Sequence, residues 1–296
     1  MAPFQPGILA PVPSVSRHLI FTQRSDADPR SCLQQLAQEA DGEQMVVGMG
    51  QSLLQSCGLQ LNGMRELPAL SGAAVEVPST PASLWIWLRG DDRGVLVNLS
   101  RRLRNLLAPA FDLRDAIDCF MYRDSRDLSG YVDGTENPQD EDAERAAILS
   151  NDKPGLNGSS FVAVQQWLHN LNHFNALPLK ERDNIFGRHQ ADNEEFESAP
   201  ESAHVKRSAQ ESFSPPAFMV RRSMPWNDAT RDGLVFVAFG HSLDAFEVIL
   251  KRMVGLEDGI TDGLFRFTQP VSGAYFWCPP VADGKLDLAL LKLGDA

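Results

Sequence analysis

Two hydrophobic periods alternate along this chain in a fixed order, and the order occurs twice. Strand-like runs stand at "HLIFTQ" (18–23), "MVVGMG" (45–50), "LWIWLRG" (84–90) and "AIDCFMY" (116–122). Between the first two, "DPRSCLQQLAQEA" (28–40) offers Asp28 as an N-cap and Pro29 at the first helical position, with Leu33, Leu36, Ala37 and Ala40 on one face. Between the last two, residues 91–110 space Val95, Leu96, Leu99, Leu103, Leu106 and Leu107 as a helix does. The order is β-α-β-β-α-β, the ferredoxin-like pattern. It returns as "SSFVAVQQW" (159–167), helical stretches through "PLKERDNIFGR" (178–188), "FMVRRSM" (218–224), "LVFVAF" (234–239), a helix over 243–255 and "AYFWCPP" (274–280). In that last helix Leu243, Phe246, Leu250 and Met253 face inward. No residue-level repeat accompanies the shared order. The expectation is an α+β chain of two ferredoxin-like halves with antiparallel sheets, the first over 1–140 and the second over 141–296.

Composition narrows the partners. Of 296 residues 43% are hydrophobic, enough for a proper core, and the net charge of −12 disfavours nucleic acid or an anionic membrane as the main partner. No apolar run approaches the ~18 residues of a membrane helix. The N-terminus has no basic residue before Arg17, and prolines interrupt its apolar part, so it does not read as a secretory signal. Cys32, Cys57, Cys119 and Cys278 are scattered without a C-x-x-C pair, which fits a reducing cytoplasm.

Two segments carry chemistry. "GYVDGTENP" (130–138) sets one carboxylate, Asp133, on a backbone of turn residues. Residues 187–216 form a long polar stretch without either period, inside which "AHVKR" places His204 beside Lys206 and Arg207. Of the other histidines, His169 and His173 are four apart and could share a metal, but a third ligand is missing nearby. His18 reads as structural, His189 as solvated and His241 as a cap.

Together "GYVDGTENP", "AHVKR", "VRRSMPW" and "DGLFRFTQPVSGAYFWCPP" resemble the dye-decolorizing peroxidases, bacterial haem enzymes, and best the subclass without an export signal. The family signature G-x-x-D-G stands here as Gly130, Asp133 and Gly134. The resemblance implies two ferredoxin-like halves, one haem b per chain held mainly by the second half, and hydrogen peroxide with dyes, phenols or other aromatic donors as substrates. It implies His204 as the proximal iron ligand, Asp133 as the distal acid–base group, Arg221 as the distal cation and Arg207 as a propionate partner. Relatives often carry Asn where this chain has Ser223, so Ser223 is expected in a modified distal network. A ligand histidine needs a carboxylate on its other nitrogen; Asp262 is the candidate, with Glu257 and Asp258 as rivals. Tyr131, Trp167, Trp226, Tyr275 and Trp277 are aromatic candidates for passing electrons to large donors. Haem storage or haem deferration with incidental peroxidase activity is the alternative reading. A homo-oligomer is expected, and the final "VADGKLDLALLKLGDA" is not expected to act as an encapsulin docking peptide.

Overall fold

The computed structural model describes residues 3–72 and 75–293. The first half runs β1 (Val15–Gln23), α1 (Arg30–Glu39), β2 (Met45–Met49), α2 (Gln51–Ser56), β3 (Leu70–Ser71), β4 (Glu76–Val77), β5 (Leu84–Gly90), α3 (Arg93–Leu107) and β6 (Phe111–Phe120). After α4 (Asp140–Ala147) the second half runs β7 (Ser160–His169), α5 (Leu171–Ala176), α6 (Leu179–Phe186), α7 (His204–Arg207), β8 (Val220–Arg221) and β9 (Met224–Asn227). Then come β10 (Asp232–Gly240), α8 (Asp244–Met253), β11 (Thr268–Pro270), β12 (Ala274–Cys278) and the short hairpin of β13 (Val281–Ala282) and β14 (Lys285–Leu286). The tail packs, with Leu286, Leu288 and Leu291 buried; residues 294–296 of the final stretch, not expected to dock an encapsulin, lie outside the described residues.

Both halves have the ferredoxin strand order, all antiparallel: β2-β5-β1-β6 in the first and β12-β7-β10-β9 in the second. Asp92 caps α3, accepting the N–H groups of Gly94 and Val95. The two sheets also join edge to edge. Trp277 of β12 stands in register with Met49 of β2, and Cys119 of β6 with Trp226 of β9. With β7 paired to β10, the circuit closes into a barrel, which removes the open edges that strand pairs otherwise present. Alternation along each strand then separates two cores. His18 and Ile20 of β1, Trp85 and Trp87 of β5, Phe239 and Phe276 meet inside the barrel. Leu19, Phe21, Ile86 and Leu88 face outward, against Leu33 and Leu36 of α1 and Leu96, Leu103 and Leu107 of α3.

Three expectations are corrected. Val95 is 61% exposed, because α3 lays Leu96, Leu103 and Leu107 on the sheet and turns its first apolar residue away. "FMVRRSM" is not one strand: β8 and β9 pair separately with β10, and between them the Arg222 N–H bonds to Val237 O. Residues 121–139, counted with the first half, make several of their side-chain bonds to the second: Tyr131 to Asp183, Asp127 to His169, Asn137 to Arg221.

Candidate active site

The hairpin that carries "GYVDGTENP" is held at both ends. An antiparallel bridge pairs Arg126 with Val132, and Gly130 turns the chain at φ +87, where a Cβ would also come 2.6 Å from Gln190 Nε2. Gly134 has φ +78, and a Cβ there would meet Asn137 Nδ2 at 2.9 Å. The positive φ favours glycine at both positions, and a side chain there would also displace the amide ends of Gln190 and Asn137. The Asn137 side chain explains the end of the motif. Its Oδ1 accepts from Arg221 N at 2.8 Å and its Nδ2 donates to Arg221 O at 3.0 Å, fastening the hairpin to β8 beside the arginine.

Asp133 and Arg221 therefore line one cavity, of about 310 Å³, between the outer face of the second sheet and its helices. Apolar walls come from Leu234 and Phe236 of β10 and from Phe246, Ile249, Leu250 and Met253 around α8. In this setting burial lifts the Asp133 carboxyl above its ordinary range, the Arg221 charge opposes the rise and Asp127 adds to it. The Nε atoms of Arg221 and Arg207 and Nε2 of Gln165 are among the buried polar atoms without a protein partner; Arg221 and Gln165 line the cavity.

His204 lines the same cavity from the one-turn helix α7. Its Nδ1 lies 2.8 Å from Oδ2 of Asp262, whose side chain is fully buried and whose Oδ1 accepts from Leu264 N at 2.8 Å. A carboxylate can only accept there, so Nδ1 carries a proton, and in the neutral ring the lone pair is on Nε2. The rivals are committed elsewhere: Glu257 pairs with Arg252, and Asp258 forks onto Arg207 at 2.7 and 2.8 Å.

Three expected site residues do not line the cavity: Asp262, which stands behind His204, and Arg207 and Ser223. Arg207 is spent on Asp258 and on the carbonyl of Arg252, and the cations that line the cavity besides Arg221 are Lys206 and Arg188. Ser223 lies outside it as well, its hydroxyl accepting from Val237 N at 3.3 Å in the break between β8 and β9. Arg222, in the same break, does not line the cavity and donates to Leu9 O at 2.6 Å.

The structure also shows partners the sequence reading left unassigned. His169 and His173 do not act together: His173 is exposed, while His169 lines the cavity with Nε2 2.9 Å from Asp127 and Nδ1 2.6 Å from Thr268. Tyr131 donates to Asp183 at 2.5 Å, and Asp183 meets the half-exposed His189 at 3.1 Å. Burial and that carboxylate push the phenol's pKa up. Tyr131 and Trp167 line the cavity, whereas Trp226, Tyr275 and Trp277 do not. Asp183 and His189 are six residues apart, but the other partners lie dozens of residues apart and left no local signal.

The family profile of Dyp-type peroxidase, C-terminal, matches residues 124–283, a segment containing Asp133, His204, Arg221 and Asp262. A dye-decolorizing peroxidase of Mycolicibacterium paratuberculosis is 30% identical over 218 residues, which are 72% of this chain and 62% of that protein. This chain thus spans less than two thirds of that relative's length. Among solved structures, a Shewanella oneidensis protein described as a putative dyp-type peroxidase superimposes with TM-score 0.89 at 27% identity, covering 100% of both chains. A variant of DypB from Rhodococcus jostii RHA1 in complex with heme gives 0.83 at 26%, over 92% of this chain and 94% of that one. With the profile covering more than half of the sequence, and the same fold reproduced from end to end, the chain belongs to the Dyp-type peroxidase family.

Proposed function

We propose that this protein is a haem peroxidase, taking haem b, one per chain, and using hydrogen peroxide to oxidise dyes, phenols or other aromatic donors. The residues present fit such a group. His204 is backed by a buried carboxylate, the walls are apolar, and Lys206 and Arg188 stand at the cavity as cations for propionates, their present partners being the exposed carboxylates Glu201 for Lys206 and Glu136 and Glu195 for Arg188. Haem, when bound, supplies the two-electron reduction of peroxide and the one-electron oxidations that follow. The chain's own groups handle position and protons. Asp133 takes the proton from one peroxide oxygen and returns it to the departing one; its raised pKa suits a group that must do both. Arg221, fixed by Asn137 through its backbone, sets a cation where negative charge develops. Asp262 keeps the His204 ring in one tautomer and makes it a stronger donor.

The observation that carries this reading is that one cavity is lined by Asp133, by Arg221 and by His204, whose Nδ1 is held by the buried Asp262 carboxylate behind it. The test is to reconstitute the protein with haem and record absorption spectra before and after one equivalent of peroxide. A rapid change, followed by recovery on adding a phenolic donor, is expected. A histidine-ligated spectrum indifferent to peroxide would leave binding alone.

A further inference from the structure

Two histidines are deeply buried, in surroundings of opposite kind. His18, 1% exposed inside the barrel, lies between Trp85 and Trp87 with ring centroids 5.9 Å from each. Its Nδ1 accepts the Trp85 indole N–H at 3.1 Å, and burial lowers its pKa to about 3. It stays neutral. His169, at the end of β7 with its side chain 4% exposed, has Asp127 Oδ1 2.9 Å from Nε2 and Thr268 Oγ1 2.6 Å from Nδ1.

Thr268 makes this site able to change charge. Its hydroxyl carries one proton and has two acceptors in reach, Leu168 O at 3.1 Å and His169 Nδ1. With the proton on Leu168 O, Nδ1 must donate to the hydroxyl; Nε2 donates to Asp127, and the ring is a cation. With the hydroxyl turned to Nδ1, the ring is neutral and its proton remains on Nε2. No side-chain atom of the trio loses its partner in either state, so a proton enters or leaves at the cost of one hydroxyl rotation. Charging a buried histidine ordinarily breaks a bond instead.

The trio is also placed to act on the site. Asp127 and Asp133 sit on the two arms of one hairpin, Asp127 N bonded to Tyr131 O and Asp133 N to Ser125 O. Asp127's charge reaches Asp133 after burial and Arg221, with His204 of α7 a smaller influence. Burial pushes the Asp127 carboxyl up, but His169 and Ser129 outweigh it and hold it below its usual range. From the neighbouring elements, Asp232 of β10 stands opposite His169 in register, Asp183 of α6 is taken by Tyr131 and His189, and His173 of α5 is exposed. Asp133 therefore faces a compensated carboxylate when His169 is charged and a bare one when it is not.

We propose that Asp127 and His169 form a proton-holding pair that sets the charge state of Asp133, and with it the pH range in which Asp133 works. Both act through Asp133 and are positioning residues. The functional meaning rests on Asp133 being the proton-transfer group, as proposed above.

The test is an infrared titration of the protonated Asp133 carboxyl in the full chain without haem, the band being assigned by its loss in Asp133→Asn. His169→Gln leaves Asp127 uncompensated and should move the Asp133 midpoint to higher pH. Asp127→Asn removes that charge and should move it to lower pH. The acid limb of the peroxide reaction in the haem-loaded protein should follow the same two directions. Displacements of the same sign, or none in either variant, overturn the proposal. If one variant does not fold, the sign of the other still decides. Because the titration is read without haem, its failure is distinct from that of the peroxidase reading, which would show as wild-type protein that binds haem and ignores peroxide.

Discussion

Behind β1 and β5 in the first half, α1 and α3 lay long stripes of leucine directly on the sheet, and Leu19, Leu33, Leu36, Leu103 and Leu107 are wholly buried. Behind β7 and β10 in the second half, only α8 packs in that way, and the space beside it is the cavity. The strand order is the same in both. What differs is the first crossover. In the first half, α1 carries it in one helix of 10 residues; in the second, residues 170–219 break into α5, α6 and α7 of 6, 8 and 4 residues. Helices that short present no continuous apolar stripe and hold a rim instead. A chamber thus comes from shortening helices on an unchanged sheet, and polar groups such as Asp133 and His204 can be kept there at the expense of stability.

The largest effects should separate the two halves by ligand binding. His204→Ala should abolish the histidine-ligated haem spectrum, since it is the cavity histidine whose Nε2 the Asp262 bond leaves bare. His18→Ala, in the barrel, should leave that spectrum intact and instead cost roughly 1–3 kcal/mol of stability, through the orphaned Trp85 indole and the lost volume. Absorption spectra of the two variants after haem addition decide it; a normal spectrum in the first removes His204 from the role.

Rates should distinguish neighbours on one segment next. Asp133→Ala removes the proton shuttle and should slow the reaction with peroxide by ~10²–10⁴, the scale of a general acid–base group. Arg221→Leu should lose ~10²–10³. Arg222→Leu should keep the wild-type rate, because Arg222 lies outside the cavity and anchors Leu9. Stopped-flow measurement of all three is the check. Equal losses at Arg221 and Arg222 would mean that the position of Arg221 in the cavity does not matter.

Packing gives a smaller contrast. Leu103→Ala, in the filled half, should cost about 2–5 kcal/mol, as buried leucines do. Leu234→Ala, on the cavity wall, should cost clearly less in haem-free protein, because its side chain already borders open space and only part of its contacts can be lost. Urea unfolding of both variants without haem makes the comparison.

The sequence carried more of the scaffold than of the site. Alternation and helical spacing located β1, α1, β5, α3, β7, β10 and α8 because those periods are local. The closure of the barrel had no such signal, resting at each seam on one registered pair between distant strands. At the site, motifs singled out Asp133, Arg221 and His204, which line one cavity, and offered Asp262 beside Glu257 and Asp258, of which Asp262 is the one bonded to His204. Arg207 was misplaced because the carboxylate that claims it, Asp258, lies 51 residues away. His169 offered only a neighbour four residues on, while its partners Asp127 and Thr268 are 42 and 99 away. Composition cannot reveal which distant carboxylate a buried cation will meet.

The smallest effect sharpens the comparison in the opposite direction, since here a substitution should stabilise. Burial raises the Asp133 pKa in the folded chain above its unfolded value. The group therefore favours folding only while it is protonated, and that contribution is lost as pH rises through the folded pKa. Above that range the native state holds a desolvated carboxylate that Arg221 only partly offsets. Asp133→Asn is neutral at every pH and similar in size, so the haem-free variant should be more stable than wild type at neutral pH. The advantage should shrink in acid, where wild-type Asp133 takes up its proton. The same change at Asp92, the exposed N-cap of α3, should give no stabilisation at neutral pH, because no burial is relieved there and Asn caps about as well as Asp. Urea midpoints for both variants from about pH 4 to about pH 8 supply the measurement. If Asp133→Asn is less stable than wild type across that range, Arg221 stabilises the carboxylate by more than burial costs it, and the second half has no stability set aside at Asp133.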